Sequence, residues 1–240
     1  EPFVVKAGTS RTMTVGANML STAPSPSNAG QVGILAVVGV NAGTAQVNAN
    51  FTALRGNGQT INESLAIGAV TMQRGSLDPG SSVTKNIGEL NYTFSSIRVT
   101  AGSQEKVYLS SIRWNQTGSV ASGDLANVKT YVDGTAYDTV ISTNGKYYTT
   151  TFSDNSGKGI LMDKGFSKEL TIKGDIVGGS GRDIVFDIAK RIDLGLMGET
   201  YGFGLIPPQT GTAVGDNANP NFTSSEDPWY NGGAVTVSAG

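Results

Sequence analysis

Leu170-Thr171-Ile172-Lys173-Gly174-Asp175-Ile176-Val177, then Gly178-Gly179-Ser180-Gly181, then Asp183-Ile184-Val185-Phe186-Asp187-Ile188 is the stretch that decides the fold class. Side chains along a β-strand point alternately to two faces, so Leu170 and Ile172 share one face while Thr171 and Lys173 take the other. The four small residues from Gly178 to Gly181 form a turn. Ile184, Phe186 and Ile188 then resume the two-residue period on inward positions. Two alternating runs around a glycine-rich break read as strand, turn, strand.

The same pattern extends outward. Thr130-Tyr131-Val132 and Thr139-Val140-Ile141 flank Asp133-Gly134, a dipeptide suited to the positive φ angles of a hairpin turn, and these two segments are expected to pair across it. Asn144-Gly145 is a second turn, followed by the Tyr- and Thr-rich run from Lys146 to Ser153. Lys106 to Trp114 favours a strand, with imperfect alternation. Helical periodicity is weak: Ile188 to Met197 reads equally as a short helix or a continued strand, and Ser122 to Asn127 has room for one helical turn. Short strands at intervals of about 8–12 residues define an all-β fold, an Ig-like or jelly-roll-type β-sandwich of one or two packed modules with extended terminal strands. The expected division is 1–29, an N-terminal strand extension and a Pro/Ser linker; 30–90, a first β module; 91–206, an Ig-like sandwich; and 207–240, a loop-rich tail ending in a strand.

Composition narrows the function. The 240 residues contain no His and no Cys. This removes imidazole bases, thiolate nucleophiles and His or Cys metal ligands. The formal charge is −2, so nothing attracts nucleic acid or an anionic membrane. The longest apolar run, Val32 to Val40, is far shorter than the roughly 20 residues that span a bilayer. Glu1-Pro2-Phe3-Val4-Val5 lacks the basic start of a leader, so an exported chain is expected to be the mature form. High Gly, Ser, Thr and Asn with few charges reads as a structural protein of the cell exterior. Five Asn-x-Ser/Thr sequons, at Asn50, Asn62, Asn91, Asn115 and Asn221, permit surface glycosylation.

Phe3-Val4-Val5-Lys6-Ala7-Gly8 parallels Val235-Thr236-Val237-Ser238-Ala239-Gly240. After the first copy comes a further strand, Thr9 to Val15, whereas the second reads as a strand lacking its continuation. Unpaired strands invite partners. Added head to tail to a neighbouring copy, they build an open polymer. The expected contacts are Phe3, Val4, Val5, Met13, Val15, Val235 and Val237, and the expected partner is the chain itself.

From Asn91 to about Pro207 the chain also carries a set of strand and turn segments. They include Phe94-Ser95-Ser96-Ile97-Arg98-Val99-Thr100-Ala101, Gly118 to Lys129, Asp133-Gly134-Thr135, Leu170-Thr171-Ile172-Lys173-Gly174-Asp175-Ile176, Arg182-Asp183-Ile184 and Thr200-Tyr201-Gly202. This set resembles the Ig-like β-sandwich repeats of large surface proteins in bacteria of the candidate phyla radiation. In those repeats a strand ending in an Ala-Gly turn often leads into the next, as Ala239-Gly240 would here. The resemblance implies an extracellular architecture with a surface-layer, filament or adhesive role and no catalytic residues. The chain departs from the family in holding one clear copy, which favours a polymer of many subunits.

Paired carboxylates are the remaining route to catalysis, and glycoside hydrolysis needs two. The candidates are Glu63, Glu89, Glu105, Glu169, Glu199 and Glu226, which read better as solvated charge. No cofactor is called for, and calcium is the one left open, held by Asp124, Asp133, Asp216 and Asp227 with Asn217 and Glu226 beside them. No Asp-x-Asp-x-Asp-Gly loop is present, and turn chemistry accounts for Asp124 and Asp133. Trp229 and Tyr230 are expected as an aromatic contact, for packing, for a subunit interface or for stacking on surface glycans. Trp114 is expected in the core. The alternative to a polymer subunit is a cell-surface adhesin or carbohydrate-binding module.

Overall fold

The computed structural model describes residues 4–15, 28–51, 54–62, 66–80, 83–209, 221–223 and 227–240. In chain order the strands are β1 (Val32–Gly33), β2 (Gln59–Thr60), β3 (Val70–Arg74), β4 (Val83–Asn86), β5 (Tyr92–Ala101), β6 (Val107–Gln116), β7 (Leu125–Val132), β8 (Thr135–Asp138), β9 (Val140–Ile141), β10 (Tyr147–Thr151), β11 (Ile160–Met162), β12 (Ser167–Ile176), β13 (Asp183–Ile184), β14 (Phe186–Asp187), β15 (Leu194–Gly198), β16 (Gly204–Leu205), β17 (Asn221–Phe222), β18 (Tyr230–Asn231) and β19 (Val235–Ser238). Strand accounts for 43% of the structure and helix for 5%, which makes the protein all-β. The segment from Ile188 to Met197 resolves into a one-turn 3-10 helix, Arg191–Asp193, feeding β15, and a second such turn, Ser122–Asp124, precedes β7.

Contacts divide the chain into Glu1–Ala66 and Ile67–Gly240. The boundary expected at 90/91 therefore moves to 66/67. The reason is pairing across the expected line: β3 bonds to β5, and β4 bonds to β19.

The second unit is a β-sandwich. One sheet runs β3-β5-β12-β7-β8, all antiparallel. The other runs β16-β15-β6-β10-β9, with β11 and β14 also bonded to β6. Strand β6 is its axis: β10 and β11 share one side, and β15 and β14 the other. The imperfect alternation of Lys106 to Trp114 has a structural cause. Leu196 pairs with Leu109 and Gly195 with Ser111, so Ser110 is a bulge that lets both Leu109 and Ile112 face the core. Gly195 permits it, because a Cβ there would lie 2.5 Å from the hydroxyls of Ser110 and Ser111.

The Asp133-Gly134 turn forms as expected, with φ of +47° and +87°, the signature of a type I′ hairpin. Its second strand is Thr135–Asp138, however, and Thr139-Val140-Ile141 does something else. At Thr139 the chain crosses from one sheet to the other, because β9 pairs with β10. A buried polar chain spans the two sheets at this corner. Trp114 Nε1 donates to Thr130 Oγ1 at 3.1 Å, Thr150 Oγ1 donates to Thr130 Oγ1 at 2.8 Å, and Thr139 Oγ1 lies 3.0 Å from that of Thr150. The Thr130 backbone N–H donates to Thr139 Oγ1 at 3.1 Å. The core includes Ile97, Leu109, Ile112, Leu170 and Ile172, with Phe94 stacked on Phe186 at 5.4 Å and Tyr148 edge-on to Phe186 at 5.0 Å.

The last residues complete the fold. β19 is the centre of a three-stranded sheet, parallel to β4 and antiparallel to β13, with Val235 and Val237 buried. The expectation of an unpaired final strand is thus corrected: its ladder is satisfied on both sides within its own chain. Phe222, Trp229 and Tyr230 form an aromatic plug, with ring centroids 4.8 Å apart in the Phe222–Trp229 and Phe222–Tyr230 pairs.

Thr130→Val keeps the shape of the core but orphans the Trp114 N–H, while the Thr150 hydroxyl keeps Thr139 Oγ1 as a partner. Leaving such a group buried and unpaired costs about 1–3 kcal/mol. Urea denaturation should show a lower midpoint with an unchanged slope.

Candidate functional site

The first unit leaves most of its described apolar side chains exposed. β1 and β2 pair antiparallel, Ala36 bridges Arg55, and the Val37 N–H donates to the Leu54 carbonyl, so Val32 to Val37 lie against 54–61. Among the described residues this ladder has two strands. The two-residue period puts Val32, Ile34 and Ala36 on one face. Val38 is 89% exposed, and Val32, Ile34, Val40, Leu35, Val47 and Leu54 are exposed as well. No described residue of this unit is buried. Val15, Leu35, Val37 and Leu54 line an open depression. Of the contacts expected near the start, Val4, Val5, Met13 and Val15 are exposed, and Phe3 lies outside the described residues. The described residues 4–15 form no strand, although the Arg11 guanidinium donates to the Val4 carbonyl at 2.9 Å.

Trp229 and Tyr230 are 0% exposed and belong to the core, which agrees with the packing role expected for them and leaves neither ring exposed for an interface or a glycan. The indole N–H of Trp229 donates to the Gln209 carbonyl at 3.0 Å, and the Tyr230 hydroxyl donates to Asp78 at 2.7 Å. Trp114, also 0% exposed, is a core residue as expected.

The candidate acids are fasteners. Glu105 is buried and takes the N–H groups of Gly68 at 2.7 Å, Thr200 at 2.9 Å and Tyr201 at 3.2 Å, tying the start of the second unit to the 199–203 turn. Glu169 takes the Leu77 N–H at 2.7 Å and the hydroxyls of Ser76 and Ser96 at 2.8 Å each. Glu89 is paired with Lys85 at 3.3 Å, Glu199 is exposed on a turn, and Glu63 and Glu226 lie outside the described residues.

The calcium candidates do not converge. Asp124 and Asp133 sit at opposite ends of β7. Asp124 takes the Ala121 N–H at 2.8 Å and the Arg182 guanidinium at 3.1 Å, while Asp133 takes the Glu169 N–H at 2.9 Å and Lys168 at 2.8 Å. Asp227 lies in the bend before Trp229, and Asp216 is outside the described residues. Among the described residues no three acidic side chains gather as a metal site requires.

Two acids of consequence escape a sequence reading. Asp78, in the Asp-Pro-Gly turn, accepts the Ser96 N–H at 3.0 Å and the Gly80 N–H at 3.0 Å besides the Tyr230 hydroxyl. Asp187 holds a position that alternation assigns to the outer face, yet it is buried, taking the Thr117 hydroxyl at 2.6 Å and the Gly232 N–H at 2.7 Å. Burial pushes both carboxyls above the usual aspartate range, and the hydrogen bonds only partly offset it. Burial also pushes the Tyr230 phenol well up, with the Asp78 charge adding to it. Glu169 is the opposite case: burial works to raise it, but the donors from Leu77, Ser76 and Ser96 outweigh burial and hold it below the usual glutamate range.

No protein-family profile matches the chain, and no curated protein sequence matches it. Solved structures similar to it include CaCohA2 from Clostridium acetobutylicum, 16% identical over 70% of this chain and 91% of that one, with a TM-score of 0.31. Others are the bacterial hydrophobin BslA, 17% identical over 63% and 99% with a TM-score of 0.26, and the sixth cohesin of Acetivibrio cellulolyticus scaffoldin B in complex with a Cel5 dockerin, 13% identical over 70% and 99% with a TM-score of 0.26. Among the described residues no helix is long and apolar enough to cross a membrane.

The two kinds of carboxylate respond oppositely to pH. A lowered native pKa contributes stability above the unfolded value that is lost as pH falls through the native one; a raised native pKa does the reverse, so stability falls as pH rises through it. Glu169→Gln should therefore destabilise at pH 7 by about 2 kcal/mol, the scale of hydrogen bonds to a charged group. The gap to the parent should close below the ordinary glutamate value. Asp187→Asn keeps an acceptor for Gly232 and removes the ionisation penalty, so it should be neutral or stabilising at pH 7. Denaturant melts across pH 3 to 8 measure both.

Proposed function

We propose that this protein is a structural subunit of an extracellular filament or surface layer, assembling with copies of itself head to tail by β-strand addition. The observation that carries the reading is the first unit: its ladder has two strands among the described residues, and most of its described apolar residues are exposed. A two-stranded hairpin is marginal in water, and an extended apolar face needs a covering partner. A second copy of the chain is the partner always present at matching concentration, and a heterologous contact repeats without closing. The apolar run from Val32 to Val40 offers exposed side chains for a neighbouring copy to cover.

The second unit suits the role of a rigid body. The buried core of the protein lies between Val70 and Val237, and its loops are pinned by carboxylates that a hydrolase would need free. The carbohydrate-binding alternative loses its aromatic platform to the interior.

The full chain should form ordered filaments or sheets visible by electron microscopy and sedimenting as high-mass species. In the full chain, Val38→Asp with Val40→Asp should abolish assembly while leaving the melting temperature of the sandwich unchanged, since neither residue belongs to its core. A variant that assembles like its parent, or a parent that stays monomeric at every concentration, would overturn the reading.

A further inference from the structure

We propose that the slot between β4 and β13, filled by β19 of the same chain, is the acceptor site for strand addition, and that residues 3–8 of a second copy take the place of Val235–Gly240 in it. The inference rests on the subunit reading above and names the site at which one copy receives another.

The slot has the form of an acceptor. β19 meets β4 in a four-residue parallel ladder, with Val235 opposite Val83, Thr236 opposite Thr84, Val237 opposite Lys85 and Ser238 opposite Asn86. On its other side it meets β13 over two residues, Asp183 and Ile184. It is therefore a strand inserted between two others, neither of which it joins through a hairpin. Only two of its side chains, Val235 and Val237, enter the core, while Thr236 is exposed and its hydroxyl donates to Asp183 at 2.8 Å. The slot thus reads a short pattern: apolar, outward, apolar, outward, then a small-residue turn.

The chain contains that pattern twice. Phe3 and Val5 stand where Val235 and Val237 do, Val4 and Lys6 replace the outward Thr236 and Ser238, and Ala7-Gly8 repeats Ala239-Gly240. Gly8 and Gly240 both have positive φ, +75° and +99°, while 235–238 is a strand and the described residues 4–6 are not. The second copy of the pattern is buried, and the described part of the first is exposed at Val4 and Val5. A strand replaced by one of the same pattern keeps the same backbone partners, which is why such exchange needs no new surface. The ring of Phe3 is larger than the side chain of Val235, and a filled core resists added volume. The chain's own strand therefore holds the slot in an isolated subunit, and exchange is driven by subunit concentration.

The absence of cysteine makes the test clean, because every disulfide formed is an engineered one. Neighbouring strands lie about 4.8 Å apart, within the roughly 4.4–6.8 Å Cα separation that a disulfide spans. Thr84→Cys with Thr236→Cys in one full-length chain should lock the slot shut on oxidation. Assembly should then fall at least tenfold and return with reductant. A mixture of Val4→Cys chains and Thr84→Cys chains should give interchain cross-links in the assembled fraction only. Assembly unaffected by the lock, or a mixture that assembles without cross-linking, overturns this site while leaving the subunit reading intact. An unmodified chain that never assembles overturns both.

Discussion

Backbone N–H groups donating to buried carboxylates hold the loops of this sandwich to its sheets. A chain without cysteine has no covalent staple for its loops. Glu105 gathers three amides from two separate loops, and Asp78, Glu169 and Asp187 do similar work elsewhere. Each bond is modest in net terms, but an amide left unpaired in the interior is expensive, so the fasteners act by excluding alternatives. Asp78 and Asp187 extend this to the last part of the fold, fixing Tyr230 and Gly232.

The same economy governs how the two sheets meet. Trp114, Thr130, Thr139 and Thr150 satisfy one another across the gap, so the chain can switch sheets at Thr139 without leaving a polar atom of this group stranded. Apolar packing on either side of this seam sets the spacing. The buried core belongs to the second unit, while most described apolar residues of the first are exposed.

Much of this was legible in the sequence. Alternation at Leu170, Ile172, Ile184, Phe186 and Ile188 placed all five in the core, and Asp133-Gly134 made its turn. What eluded the pattern had physical causes. A bulge shifts the phase of alternation without a local signature, and the one at Ser110 depends on Gly195 and Leu196 of a distant strand pairing with Ser111 and Leu109. Pairing partners distant in sequence are set by tertiary packing, which hid the β4–β19 ladder and the true boundary at 66/67. Trp229 and Tyr230 sit in a polar stretch, and their burial depends on neighbours such as Asp78 and Gln209 that no local window contains. The acids Glu105 and Glu169 were visible as acids, but their role required knowing which amides they meet.

The parallel ladder between β4 and β19 bears on the order of events during synthesis. Val83–Asn86 is made long before Val235–Ser238, so the sheet they share waits for nearly all of the intervening chain. Contacts of such sequence separation form late and slowly. Until they form, the core positions of Val235 and Val237 stand open, and the chain is at its most vulnerable to the wrong neighbour. Between the synthesis of β4 and that of β19, the edge of β4 that receives β19 has no partner from that strand.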